Sequence, residues 1–424
     1  MAVAHAATRP TGDRILPAPK LVGRDSGGGG VRVCILTPEF LPKWGGIGTY
    51  SYNLARGLRD RAEVHVVTAG RGPEMGPTPA PDGVQVHEIL TEGHRGGSLG
   101  LSFQLAVFRR LPALAREFGF DIVHSNHAYM SDFLVRARRL PATPVVTVHT
   151  TLGTQIEGTL RADESVPLNG SERSIARWRW LFRACERRYL RRTPAMIFVS
   201  RFVRDHAVGG YRLAPRISEV IPNGVDTGRL GDGAREPGPM DDPARPTLLF
   251  AGRLLALKGV GTLLRALAHL DPEVRLILAG PGDPSPWRAL AGELGLDRDR
   301  YTFLGPVPYD EMPYLYRRAD AVVLPSFSES CPMVALEAMA CGTPLIAAAA
   351  GGVRELVVDG ESGWLFPPGD VDGLVDRVEA VLSDPTLARS VAARARSWVA
   401  DNASLDQMAD RTFHFYEQVC GEAS

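Results

Sequence analysis

Short apolar runs recur along the chain, and each is followed by a loop and then by a stretch with helical spacing. Val31-Arg-Val-Cys-Ile-Leu-Thr37 is the first run. Its near-continuous apolarity predicts a strand buried on both faces. Ala62 to Thr68, Val84 to Ile89, Asp121 to His124, Pro144 to His149 and Ala195 to Ser200 follow as strands. Ser51 to Leu58, Leu101 to Phe118 and Ser171 to Arg191 carry helical spacing between them. Strands alternating with helices predict a doubly wound parallel sheet.

The pattern restarts near residue 246. Residues 213–245 are rich in Pro, Gly and Asp and read as a linker. Strands are then expected over 246–252, 274–280, 301–305, 321–325 and 344–347, with helices between them, and a closing helix within 401–424. Residues 31–212 and 246–400 thus form two Rossmann-like halves, preceded by an Ala-, Pro- and Gly-rich tail over 1–30. Open α/β sheets bind ligands at the carboxyl ends of their strands, so two such halves imply a substrate cleft between them.

Composition narrows the classes. The 424 residues are 44% hydrophobic and 23% charged, with Lys+Arg 48 and Asp+Glu 48. A net charge of zero gives no global attraction to nucleic acid or anionic membranes. Five cysteines without a CxxC pair read as reduced thiols of a cytoplasmic protein. No apolar run approaches the ~20 residues that cross a bilayer, and the N-terminus lacks an apolar signal core.

The densest candidate chemistry is Ser328-Glu329-Ser330-Cys331-Pro332-Met333-Val334-Ala335-Leu336-Glu337-Ala338-Met339-Ala340-Cys341-Gly342-Thr343-Pro344. Pro332 suits the first turn of a helix, where its missing N–H costs nothing. Such a helix leaves the N–H groups of about Met333 and Val334 free, and those donors with the helix dipole suit a diphosphate. Glu329 stands just before the helix and Glu337 more than a turn inside it. One carboxylate can meet sugar hydroxyls and the other a ribose diol; a solvent-facing glutamate pair is the plain alternative.

A second constellation, Ala251-Gly-Arg-Leu-Leu-Ala-Leu-Lys-Gly259, brings Arg253 and Lys258 to a strand end. Cations there would stabilise the charge that builds on a leaving diphosphate, Arg as a fork of donors and Lys as a compact charge. Two surface cations are the plain alternative. A third, Gly45-Gly46-Ile47-Gly48, lets backbone approach phosphate or sugar closely. It is no dinucleotide fingerprint, because Ser51 stands where the third glycine would fall. No metal-ligand spacing is present. Asp297-Arg298-Asp299 lies between a helix and a strand, where Asp is common in turns.

Glu329 and Glu337, eight apart and followed by Ala-Met-Ala-Cys-Gly-Thr-Pro, resemble the signature of the retaining glycosyltransferases of family 4. The resemblance runs from about Val31 to Tyr416. It implies the GT-B fold, an α/β architecture of two Rossmann-like doubly wound domains facing across a cleft. It also implies that Glu329 contacts the donor sugar, Glu337 holds the ribose, and Arg253 and Lys258 face the diphosphate. The Gly46 loop would reach the donor and acceptor region, and His149 would lie near the reacting sugar. Val307 would meet the base through its backbone, and Ile221-Pro-Asn-Gly-Val-Asp226 resembles the family's interdomain turn. For His149, a structural histidine satisfied by backbone stays open. The resemblance implies retention at the anomeric carbon without an enzymic nucleophile, the leaving phosphate helping to deprotonate the acceptor, and no metal or cofactor. This chain departs at Ser330-Cys331-Pro332, where many relatives carry Gly or Phe-Gly, which bears on sugar preference.

The expected reaction moves a hexosyl-type sugar from a nucleoside-diphosphate sugar, UDP- or GDP-linked, to a hydroxyl of a small metabolite, glycan or lipid. The rivals are a phosphorylase or starch-type synthase on the same fold, and an inactive nucleotide-sugar-binding relative. No lysine segment suggests a pyridoxal site, and the intact Glu, Arg and Lys set argues against inactivity. Residues 171–192 form a basic amphipathic stretch, read either as a half-buried helix with a solvated basic face or as a weak peripheral membrane contact. Glu157, Asp163 and Glu164 precede it and would favour a cationic acceptor.

Overall fold

The computed structural model describes residues 30–40, 45–70, 78, 80–90, 99–138, 140–162, 173, 177–231 and 245–421. Of the sequence expectations, the tail up to residue 29, Trp44, the acidic segment 163–170 and residues 232–244 lie outside the described residues.

Seven strands form the first sheet: β1 (Arg32–Leu36), β2 (Glu63–Ala69), β3 (Val84–Leu90), β4 (Ile122–Asn126), β5 (Thr143–Val148), β6 (Ala195–Phe198) and β7 (Ile217–Val220). Six form the second: β8 (Thr247–Ala251), β9 (Arg275–Ala279), β10 (Tyr301–Gly305), β11 (Ala321–Leu324), β12 (Leu345–Ala348) and β13 (Trp364–Phe366). The orders are β3-β2-β1-β4-β5-β6-β7 and β10-β9-β8-β11-β12-β13. Every strand pairing in both sheets is parallel. Parallel strands are covered by helices on both faces, which is why β4, β6, β11 and β12 are buried along their whole length.

Two expectations are corrected. The stretch 213–245 is not only linker, because Ile217–Val220 forms β7, the last strand of the first sheet. As an edge strand it is only half buried, so its residues carry no continuous apolar run to betray it. The helix expected over Ser171 to Arg191 is interrupted: the described part runs Arg179–Arg191 after a turn at Trp178. β13 escaped notice because three residues are too few for a pattern.

The closing helix, Leu405–Gly421, returns to the first sheet. Met408, Ala409, Phe415, Tyr416 and Val419 join the core built by β1, β2 and the helix Gly46–Leu58. A Cβ on Gly57 would lie 2.8 Å from that of Ala409, so the two helices approach at their closest through a glycine. No described helix is long and apolar enough to cross a membrane.

Each sheet has one place where the chain reverses its direction of winding: between β1 and β4, and between β8 and β11. The loops leaving those strands diverge and open a crevice above the carboxyl ends. The glycine loop, Asn126 at the end of β4, Lys258 and Glu329 lie at these carboxyl ends. Because Phe415 is fully buried in the shared core, Phe415→Ala should destabilise the protein by roughly 3–5 kcal/mol. Urea unfolding checks this; an unchanged midpoint would mean the last helix is not part of the core.

Candidate active site

Lys258 follows β8 and Glu329 follows β11, so the two residues flank the reversal point of the second sheet. Lys258 Nζ donates to Glu329 Oε1 at 2.6 Å. Ser326, fully buried, donates its hydroxyl to the same oxygen at 2.7 Å. Both donors converge on Oε1, which fixes the carboxylate.

Backbone geometry holds this pair in place. Gly259 has φ +73, and a Cβ there would sit 2.0 Å from the Pro325 carbonyl oxygen. Only glycine lets the Lys258 loop lie this close to the Glu329 loop. The Phe327 N–H donates to the Leu257 carbonyl at 2.9 Å across the same gap. On the other side Gly351 and Gly352 press on the Glu329 and Ser330 carbonyls, where Cβ atoms would come to 2.3 and 1.8 Å. The Gly352 N–H donates to the Glu329 carbonyl at 2.9 Å.

The helix Met333–Ala340 starts beside this pair. Pro332 stands one residue before the helix rather than in its first turn, in extended conformation. The effect is unchanged, because the first N–H groups, from Met333 and Val334, have no intrahelical acceptor. A Cβ on Gly46 would come within 4.0 Å of Met333, so the N-terminus of the helix Gly46–Leu58 meets the N-terminus of Met333–Ala340. Two positive helix ends converge there, which suits an anion. Glu337 lies on the buried side of its helix and accepts from Tyr316 OH at 2.6 Å. Burial raises its pKa, and the Tyr316 hydrogen bond opposes that rise.

Val307 follows β10 and packs in the same core cluster as Met333. Arg253 lies in the β8 loop but is exposed and, among the described residues, forms no ion pair like that of Lys258. Cys331, the departure noted in the sequence, is buried; its Sγ accepts from the Asn223 N–H at 3.4 Å and its carbonyl from Asn223 Nδ2 at 2.7 Å. It therefore ties the 221–226 turn to the start of the helix, and burial pushes its thiol up to about 12.

His149 follows β5 directly. Its Nε2 lies 3.0 Å from Asn126 Oδ1, and Asn126 Nδ2 donates to Ser51 Oγ at 2.8 Å. The Ser51 hydroxyl proton goes to the Ile47 carbonyl at 2.8 Å. That chain of donors makes Oδ1 the acceptor, so His149 carries its proton on Nε2 and presents Nδ1 as a lone pair. Tyr50 packs edge-on against the ring, with centroids 4.4 Å apart. A side-chain chain, not backbone, thus orients His149.

His124 lies beneath, bonded through Nδ1 to Tyr416 OH at 2.5 Å and through Nε2 to Thr147 Oγ1 at 2.7 Å. Burial lowers both His124 and His149 to about 3, with neighbouring histidines adding to the shift at His149. The unfolded chain takes up these two protons below about pH 6.5, while the folded protein refuses them until about 3. Their contribution is complete above 6.5 and is lost as pH falls toward 3. The two together should remove roughly 4 kcal/mol between pH 6.5 and 5. Urea unfolding across that range should show the loss, and His124→Gln should about halve it; an unchanged slope would refute the assignment to buried imidazoles.

Ser326, Tyr316, Asn126, Gly259 and the Gly351-Gly352 pair went unread in the sequence. Pro325-Ser326 before the glutamate and a double glycine after a strand were the available signals. A further signal was composition: the chain has three lysines, Lys20, Lys43 and Lys258, against 48 Lys+Arg in total. Position 258 holds the one lysine among the described residues. Among those residues no group of three or more His, Cys, Asp or Glu is arranged to hold a metal ion.

Residues 44–229 match the family model described as Glycosyltransferase Family 4, and residues 240–398 that described as Glycosyl transferases group 1. D-inositol 3-phosphate glycosyltransferase of Xylanimonas cellulosilytica is 32% identical over 83% of this chain and 87% of its own length. The protein of the same name from Kribbella flavida is 32% identical over 80% of this chain and 83% of its own. Sucrose-phosphate synthase of Thermosynechococcus elongatus superposes with a TM-score of 0.78 at 23% identity, covering 92% of this chain and 100% of that one. HepE of Anabaena, solved with UDP-glucose, superposes with a TM-score of 0.67 at 22% identity, covering 92% and 99%. The two structures share the fold. The chain belongs to glycosyltransferase family 4, with the GT-B fold, and is a glycosyltransferase.

Proposed function

We propose that this glycosyltransferase moves a hexosyl sugar from a UDP- or GDP-sugar to an acceptor hydroxyl with retention at the anomeric carbon, without a metal. The observation that carries the reading is the Lys258–Glu329 contact of 2.6 Å beside two convergent helix N-termini. The diphosphate lies against the N–H groups of Met333 and Val334, near Gly46, with Lys258 and Arg253 as its cations. Glu329 Oε2 accepts from donor-sugar hydroxyls. Glu337 takes the ribose diol through the oxygen not used by Tyr316, and the backbone at Val307 meets the base. His149, neutral, accepts from a sugar hydroxyl through Nδ1. The relatives named for D-inositol 3-phosphate support a small polyol phosphate as one acceptor to test.

In the reaction the acceptor oxygen bonds to C1 on the face from which the phosphate oxygen departs. The C1–O bond breaks, its electron pair goes to the diphosphate, and the acceptor proton passes to a phosphate oxygen. Charge on the diphosphate grows during this step, so fixed donors aimed at it lower the barrier. Glu329 is poorly placed as a nucleophile, because Lys258 and Ser326 both draw on its charge.

A thermal-shift screen against UDP, GDP, ADP and TDP tests the donor; a ligand at 100 times its Kd should add about 2.7 kcal/mol. No shift with any of them would remove the reading. Glu329→Gln and Lys258→Arg should each lower kcat by about 10²–10³-fold. The arginine keeps the charge, but its larger planar fork does not reproduce the point contact with Oε1. Ser326→Ala should cost about 10-fold in kcat with donor KM little changed, since it loosens the carboxylate without touching the diphosphate. Full activity in folded Lys258→Arg would overturn the role given to that amine.

A further inference from the structure

Exposed apolar side chains gather at the start of one helix of the first half. Three of the nine exposed large hydrophobic residues among the described residues fall within four positions: Trp178, Trp180 and Leu181, at 46%, 66% and 42% exposure. They open the helix Arg179–Arg191. Its inner face is Phe182, Cys185, Glu186, Tyr189 and Leu190, at the i, i+3, i+4, i+7 spacing of a face packed on a core. The opposite face is Trp180, Ala184, Arg187 and Arg191, all exposed.

Seven arginines lie between 177 and 192, and the one acid among them, Glu186, is turned inward and buried. Glu186 accepts from the Leu152 N–H at 3.0 Å and from Tyr211 OH, so its charge is spent inside the protein. No carboxylate among the described residues pairs with Arg179, Arg187 or Arg188. The whole chain carries no net charge, so this concentration of cations is local.

We propose that this face docks on a bilayer surface containing anionic lipid. Indole rings settle at the boundary between headgroup and acyl chain, and arginines beside them pair with phosphate or carboxylate headgroups. A second copy of the chain is a poor occupant, since a two-fold contact would set one cluster of arginines against its own copy. The inference is independent of the donor site, because none of these residues belongs to it.

Flotation of the full chain with vesicles tests this, using phosphatidylcholine alone and phosphatidylcholine with 30% phosphatidylglycerol. Binding is expected to the anionic vesicles only and to fall in 0.5 M salt. Arg187→Gln with Arg188→Gln should weaken it about 25-fold, from roughly five-fold per arginine. Trp180→Ala should weaken it further while leaving donor-induced thermal shifts as in the parent, which also shows that the variants fold. Absence of binding to anionic vesicles, equal binding to neutral ones, or arginine variants that bind like the parent would overturn the proposal. So would a concentration-dependent dimer mass, by light scattering, that Trp180→Ala abolishes.

Discussion

The contact between Lys258 and Glu329 is the constraint on which the rest of the site depends. A half-buried ion pair such as this one loses part of its hydration on both partners, and its mutual attraction offsets that loss only when the geometry is tight and other donors help. Here Ser326 supplies the second donor to the same oxygen, and Gly259, Gly351 and Gly352 permit the backbones to close around it. A pair of this kind is weak evidence for stability. It stands at the reversal point of a parallel sheet, beside the first N–H groups of the helix Met333–Ala340, with its geometry already set.

The two halves are joined at several points around the crevice. The Gly46–Leu58 helix touches Met333 through Gly46, orients His149 through Ser51 and Asn126, and receives the Tyr309 hydroxyl on Asn53 Oδ1 at 3.0 Å. Glu355, next to the glycines behind Glu329, accepts from the N–H groups of Arg201 and Phe202 at 2.9 and 2.7 Å, capping a helix of the first half. A Cβ on Gly158 would strike Leu257 and Ser328 at 2.5 and 2.6 Å, so the helix Leu152–Arg161 rests directly on the loop before Lys258. The Gly46–Leu58 helix therefore reaches both the second half and His149, and Gly46 and Gly158 stand at close contacts between the halves.

Beneath the histidine side lies a dry polar layer. His124, Thr147, Tyr50 and Tyr416 share hydrogen bonds, and burial keeps the imidazoles neutral. His127 lies 2.9 Å from Glu186 Oε1, yet the angles leave both of its ring nitrogens without a hydrogen bond. Neutral His149 offers a lone pair rather than a positive charge. Because Tyr416 comes from the last helix, the end of the chain helps to hold His124 of the first sheet.

Local sequence determined the elements. Apolar runs marked nearly every central strand, since burial on both faces favours apolar residues, β4 ending instead in the hydrogen-bonded His124, Ser125 and Asn126, and Glu329, Glu337, Lys258 and the glycine loop stood out because their types and spacing match a diphosphate chemistry. Edge strand β7 and the short β13 were not legible, as half-buried or three-residue strands leave no period to read. What the tertiary structure alone decided is which residues meet. Lys258 and Glu329 are 71 positions apart, and His124 and Tyr416 are 292 apart. Their contacts follow from strand order and from a last helix that turns back to the first sheet. A local pattern records how deeply a segment is buried; it does not record which distant segment will lie against it.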